Sequence, residues 1–417
     1  MSLPISLPEP VVITGVGMIA STGRDRESVW RAVREGQSGV KHLQGVPGLP
    51  DGEYLGAPVD IELSDPNRLK VFSLYETAGD EALADAGVCW EEVDRTRFGC
   101  SISTHMGDTS WCERRADADR EPWWEQWFPN TACGELARRY GLGGPQLCYS
   151  TACASSLISI ISAVRAIQDQ QCEIALAGGA EVIHPLFAAG FRNMKVLAHS
   201  DPPEQACRPF DLNRQGFVMG EGGAMLVVER LGHALRRNAR IYAAFGACKM
   251  LGEAHHVTGI GGDGEGLAHL ISSTIEQTGL EPRDIGYINA HGTGTQQNDA
   301  AELLGIRKAF GAAADQVCVS STKAMLGHMV NAAGAVELAI TALALRDGFA
   351  PPTRNLTDPD PIGRIDCLPQ VGRQRRIQNA LKLSVAFGGH LAAVALHRWN
   401  DAHNGFAYPD LQRKAAA

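Results

Sequence analysis

The sequence predicts an α/β protein made of two similar halves packed as one body. Strand-like apolar runs alternate with helical ones along most of the chain. Many of its 46 glycines fall at the ends of those runs, where strand-to-helix turns are tight. The alternation also starts afresh near Ile241, after a turn at about Leu231–Asn238. On this division residues 1–232 form the first half and 233–417 the second, although self-similarity between them is faint at the level of residues.

In chain order, Val11–Ala20 is a β-branched strand running into glycines, followed by a helix near Glu27–Glu35. The strand matches G-x-G-x-x-A, the dinucleotide fingerprint. A second turn, Ser21–Asp25, stands where that fold's helix should begin and argues against nucleotide binding. A helix is expected from Arg68 to Ala86 and a strand from Arg97 to Ser103. Thr109–Trp127 carries Trp111, Trp123, Trp124 and Trp127 among many charges. A loop pinned down by its rings is the ordinary reading, with an interface or lid as the alternative. A polar turn then leads into an apolar helix, Ala154–Ile167, and a buried strand, Glu173–Glu181, followed by a strand Ala224–Glu229. The second half reads strand Ile241–Met250, helix Gly264–Thr278, strand Gly286–Ala290, helix Asn298–Phe310, strand Val317–Ser320 and a long apolar helix Ala332–Arg346. Two apolar strands, Leu381–Ala386 and Leu391–Leu396, close it.

Composition narrows the function. A 44% hydrophobic chain of 417 residues can bury a substantial core, and a net charge of -9 with 20% charged residues argues against nucleic-acid binding, which needs a basic face. The eleven cysteines include no C-x-x-C, and the close pair Cys148 and Cys153 has four residues between, so a zinc finger or ribbon is not expected. Their scatter through apolar runs reads as reduced thiols of a cytoplasmic protein. No run is long enough to span a membrane, and the N-terminal residues lack a secretory pattern.

Three turns carry chemistry. Cys153 sits in Tyr149-Ser-Thr-Ala-Cys-Ala-Ser155 at the start of the apolar helix, where unpaired N–H groups and the helix dipole favour an anion. A thiol pKa below that of a free cysteine is therefore expected, against the plainer reading that a small residue packs tightly there. His291 lies in Asn289-Ala-His-Gly-Thr-Gly-Thr295, and His328 in Ser321-Thr-Lys-Ala-Met-Leu-Gly-His328 with Lys323 five residues earlier and Glu337 in the helix beyond. Ligands of α/β proteins gather at strand C-termini, which makes two such histidines and a cysteine hard to read as core residues.

These turns, with Ala177-Gly-Gly-Ala-Glu181, Arg208-Pro-Phe-Asp211, Gly216–Gly222 and Phe387-Gly-Gly389 in the same order, resemble the β-ketoacyl-acyl-carrier-protein synthases of the I/II type from Val11 to about Arg398. The resemblance implies a five-layered αβαβα thiolase-like fold and a homodimer whose interface runs beside the acyl pocket. It implies a decarboxylative Claisen condensation without metal or organic cofactor, the substrates being carried on the phosphopantetheine of acyl carrier protein. Cys153 is then the nucleophile. The backbone N–H groups of Cys153 and Phe387 form the oxyanion hole, and His291 and His328 stabilise an enolate. Lys323 and Glu337 orient the histidines. Thr293, Thr295 and Thr258 meet the pantetheine arm, and Phe191, His105 and Met106 line the substrate pocket. Non-condensing relatives of the chain-length-factor kind generally lack the cysteine. A cysteine acyltransferase or thioesterase is the other alternative.

The chain departs from the family at His105 and Met106, at Leu383-Ser-Val-Ala386 and at His390-Leu391. A specialised synthase is therefore expected in place of a housekeeping fatty-acid elongator. A basic rim for the acidic carrier is expected among Arg68, Lys70 and Lys195.

Overall fold

The computed structural model describes residues 9–63, 68–104 and 128–399. In the first half the strands are β1 (Val11–Ala20), β2 (Phe98–Ser103), β3 (Gln146–Tyr149), β4 (Ile174–Glu181) and β5 (Gly222–Arg230). In the second they are β6 (Ala243–Gly252), β7 (Tyr287–Asn289), β8 (Cys318–Ser320), β9 (Asn379–Ala386) and β10 (His390–Arg398). The ten form one continuous order, β8-β7-β9-β10-β6-β1-β5-β4-β2-β3. Read outward from the middle, each half runs first, fifth, fourth, second, third strand. Directions match too: the third and second strands pair parallel, as do the second and fourth, and the remaining pairs are antiparallel. The halves meet where Val12 and Ile13 pair with Ala244 and Ala243. The duplication that the residues barely record is plain in the topology.

Five helices complete the layers: α1 (Lys70–Asp85), α2 (Ser155–Gln168), α3 (Glu265–Thr278), α4 (Gln296–Phe310) and α5 (Ala333–Asp347). Helices α2 and α5 pack on each other, α2 mainly against the strands of the first half and α5 against strands of both halves. On the outer faces α1 covers the strands of the first half and α3 those of the second, with α4 packed on α3. This is the αβαβα arrangement expected. Both central helices are apolar on nearly every face because each meets a sheet on one side and its twin on another.

The glycines of β1 find their reason here. A Cβ on Gly17 would stand 1.9 Å from the carbonyl oxygen of Ala78, and one on Gly15 2.2 Å from that of Ala82. They let α1 lie directly on the strand, and the fingerprint-like spacing makes no phosphate loop. The first helix starts at Arg26, where the Asp25 side chain accepts from the Ser28 N–H.

Some elements differ from the sequence reading. The expected turn at Leu231–Asn238 opens with a short helix, Leu231–Arg236, anchored by buried Ala234. Strand β3 and the helices Thr131–Tyr140 and Pro185–Asn193 are not among the elements read from the sequence. The first is a four-residue edge strand, and the last is capped by the His184 ring with Pro185 in its first turn. His105, Met106 and the tryptophan-rich stretch 109–127 lie outside the described residues. Among the described residues, no helix is long and apolar enough to cross a membrane.

Candidate active site

The turn that carries Cys153 is built by backbone geometry. Ala152 has φ 47°, and Ala152–Ala154 forms a tight turn that runs directly into α2. A side-chain residue in the left-handed region is costly, so the fold has to hold this turn in place. Ser155 does part of that, accepting from the Thr151 N–H at 2.8 Å and donating to the Ala152 carbonyl at 2.7 Å. Cys153 is thereby aimed at the second half of the molecule.

There its Sγ lies 3.1 Å from Nε2 of His328. The His328 and His291 rings stand edge to face with centroids 5.5 Å apart. His291 is placed by a loop whose glycines adopt positive φ, 40° at Gly292 and 80° at Gly294. Two buried carboxylates gather the loop's N–H groups. Glu302 accepts from His291 at 2.6 Å and Gly292 at 2.7 Å, and Asp299 accepts from Thr293 at 3.0 Å and Gly294 at 3.1 Å. Burial pushes the Glu302 carboxyl up to about 7 despite those N–H donors.

Behind the histidines, Lys323 donates to the His291 carbonyl oxygen and to Glu337 Oε1. Lys382 forms an ion pair with Glu337 Oε2 at 2.7 Å. All three side chains are buried. Both imidazoles are pushed well below their ordinary pKa, first by burial and then by the charge of Lys323. They are therefore neutral at pH 7.

One expectation is overturned. Burial pushes the Cys153 thiol up to about 12, and the Lys323 charge and the residue's own backbone N–H offset only part of this. Cys153 stands just before helix α2, as the sequence places it, and loss of water raises its pKa there.

A cavity of about 620 Å³ opens onto these groups. Cys153, His291 and His328 line it together with Phe191, Phe217, Phe387, Thr258, Thr293 and Thr295. Phe217 sets its ring edge to face on His328, centroids 5.0 Å apart, and Phe191 packs edge to face on Phe217. The Thr293 and Thr295 hydroxyls are 2.9 Å apart. The wall is thus aromatic near the sulfur and polar along the approach.

Of the site residues named from the sequence, the structure brings these together and leaves His105 and Met106 undescribed. It adds Lys382, Glu302 and Asp299. Lys382 had a visible signal, a single charge inside the apolar run Leu381-Lys-Leu383. The basic rim fares less well. Arg68 is paired with Glu76 at 2.6 Å and Glu135 at 2.8 Å, and Lys70 with Glu221, so both are held by neighbours in the same chain. Lys195 alone of the three lines the cavity.

A doubled five-strand sheet around paired helices, with a thiol and two imidazoles meeting between the halves, defines a condensing-enzyme class of thiolase-like protein. The match to known families is specific. Residues 71–234 match the beta-ketoacyl synthase N-terminal domain and residues 242–357 the C-terminal domain, and the chain belongs to the beta-ketoacyl synthase family. It is 36% identical over 406 residues to a 3-oxoacyl-[acyl-carrier-protein] synthase 2 of Coxiella burnetii, covering 93% of this chain and 98% of the relative. It is 34% identical over 412 residues to a putative polyketide beta-ketoacyl synthase 1 of Streptomyces cyaneus, covering 93% and 97%. Among solved structures, a chain of a complex between a type II PKS acyl-carrier protein and its hexaketide-bound ketosynthase superposes with a TM-score of 0.87 at 29% identity, covering 94% of this chain and 100% of that one.

Proposed function

We propose that this protein is a β-ketoacyl-acyl-carrier-protein synthase that joins an acyl group held on Cys153 to a malonyl thioester, releasing CO2 and a 3-oxoacyl thioester. The observation that carries the reading is the Cys153–His328 contact of 3.1 Å, with His291 beside it, at the base of an open cavity.

The chemistry follows from those atoms. The Cys153 sulfur attacks the acyl thioester and passes its proton to His328 Nε2, while the carrier leaves as a thiolate and takes a proton from solvent. Backbone N–H groups of Cys153 and Phe387 receive the oxyanion. The malonyl thioester then loses CO2, and its enolate oxygen accepts hydrogen bonds from His291 and from His328, which now carries the transferred proton. Carbon–carbon bond formation expels Cys153 as a thiolate, which takes the proton back. Lys323 and Glu337 hold the histidines in place. Thr258, Thr293 and Thr295 offer hydroxyls to the pantetheine arm, and Phe191 faces the acyl side of the cavity. The protein needs no resident cofactor for these steps, since the carrier's phosphopantetheine brings both substrates.

We assign it acyl carrier protein as partner and the cytoplasm as location, in keeping with cysteines that stand unpaired among the described residues. We also assign a homodimer whose interface runs beside the acyl pocket, and the half-exposed edge strand β3, which leads into the Cys153 turn, supports it. The halves divide at 232/233. The altered stretch Leu383–Ala386 before Phe387 supports a specialised acyl range. Incubating the purified protein with acyl and malonyl carriers and weighing intact adducts tests the whole reading. Acyl-Cys153 followed by a carrier heavier by the acyl group and lighter by CO2 is expected. Free acid without carbon–carbon bond formation would instead identify an acyltransferase or thioesterase. No acyl adduct on Cys153 would point to a non-condensing partner subunit.

A further inference from the structure

We propose that Lys382 is a second positioning residue of the condensation site, one that grips the His291 turn and sets a second positive charge beside both imidazoles. This deepens the reading above and rests on it for the word condensation, but its physical content can be tested without any carrier.

The geometry is that of a clamp. Lys382 on β9 sits in register with Asn289 on the parallel strand β7, two residues before His291. Its Nζ lies 3.5 Å from the carbonyl oxygen of Ala290, while Lys323 donates to the carbonyl oxygen of His291, the next residue. The two lysines reach consecutive carbonyls of one turn, and Glu337 lies between them with one oxygen toward each. Lys382 is 0% exposed, so its charge cannot be screened by water as a surface lysine's is. Burying an ammonium is costly, and an apolar residue would serve the strand better if the charge had no use.

The groups around the imidazoles come from several elements. Cys153 faces His328 from the nucleophile turn, Lys323 comes from the short helix Lys323–Leu326 and Glu337 from α5. Glu302 comes from α4, and Glu181 of β4 adds a small raising effect on the Cys153 thiol. Lys382 joins Lys323 in lowering the proton affinity of both histidines. Its own pKa is lowered by burial, against the raising effect of Glu337. A histidine that must receive the thiol proton has to arrive unprotonated, and a neighbouring ammonium keeps it so as the solution becomes more acidic.

The test is the pH dependence of Cys153 alkylation by iodoacetamide, followed by intact mass in the full-length protein. In Lys382→Met the acid limb is expected about one pH unit above that of the wild type, the shift produced by losing one nearby charge. Lys382→Arg should keep the wild-type limb. A folded Lys382→Met protein with an unmoved limb overturns the proposal and leaves Lys382 a structural residue. Should Lys382→Met fail to fold, Lys382→Gln takes its place with the same two outcomes: a limb moved up supports the proposal and an unmoved one overturns it. Because no acyl or malonyl carrier is present, a moved limb in a protein that makes no carbon–carbon bond would sink the condensation reading and leave this one standing.

Discussion

Replacing His328 by alanine separates two accounts of how Cys153 becomes a nucleophile. In the first, the helix N-terminus holds the sulfur as a thiolate at rest; in the second, the sulfur rests as a thiol and gives up its proton during attack. Burial raises the thiol from 9.0 to about 12, a shift of about three units and so about 4 kcal/mol against the anion. A helix terminus contributes about 2 kcal/mol at best, too little to reverse that sum. At pH 7 the thiolate would be about one part in 10⁵. The proton therefore has to leave as the bond forms, and His328 Nε2 at 3.1 Å is the acceptor in place. In His328→Ala the rate of acyl loading from a small thioester mimic should fall by about 10²–10⁴-fold, the usual worth of a positioned base. Stopped-time intact mass of the acyl-enzyme measures it, and a mimic keeps carrier docking out of the rate. Loading within a few-fold of wild type would mean that the thiolate pre-exists and that the helix field exceeds the burial cost, refuting the argument.

Other consequences can be checked separately. Burial raises Glu181 from 4.5 to about 8, so the folded state binds a proton there that the unfolded chain has lost; the stability this brings is whole below pH 4.5 and disappears as pH rises through 8. Glu181→Gln should flatten the fall of Tm across that window, and an unchanged slope would place the effect elsewhere. Gly17→Ala puts a methyl 1.9 Å from the Ala78 carbonyl oxygen and should cost about 3 kcal/mol or more in denaturant unfolding, because strand and helix backbones must separate. A wild-type midpoint would contradict that packing. Lys195→Glu at the cavity mouth should raise KM for an acidic carrier while leaving kcat for a small thioester unchanged. If neither parameter changes, the carrier docks elsewhere.

How much of this was legible in the sequence depends on whether the signal was local. The long elements were, because α2 and α5 announce themselves as apolar runs and the strands as β-branched ones ending in glycine. The three side chains that converge at the cavity, Cys153, His291 and His328, were also legible, since each lies in a short motif at a strand's end. The pKa of Cys153 was not. The motif places the helix terminus, but the amount of water removed is fixed by α5 and the second sheet, which are far away in the chain. Lys382 was missed for a related reason: a lysine in an apolar strand reads as an exposed edge residue until the strand is seen at the centre of a sheet. The ion pairs of Arg68 with Glu135 and of Lys70 with Glu221 were not legible either, since these partners lie far along the chain.

The strained nucleophile turn has a counterpart that explains where it came from. Val330–Ala332 makes the same three-residue turn before α5 that Ala152–Ala154 makes before α2, and Val330 has φ 36° where Ala152 has φ 47°. Both turns follow the third strand of their half. In this correspondence Asn331 takes the place of Cys153. Asn331 faces back across the interface, donating to Glu181 Oε2 at 2.6 Å and accepting from the Ser155 hydroxyl at 3.3 Å, so it braces the very turn that holds the sulfur. A left-handed non-glycine residue is costly, and it is retained in both halves although only one bears a nucleophile. The strain is thus a property of how a sheet feeds a buried helix in this fold, not a device made for catalysis. The consequence is that the side chain one residue after the strained position is thrust toward the opposite half. One half presents a thiol there and the other an amide that holds the first in place, so the two turns work as a single unit.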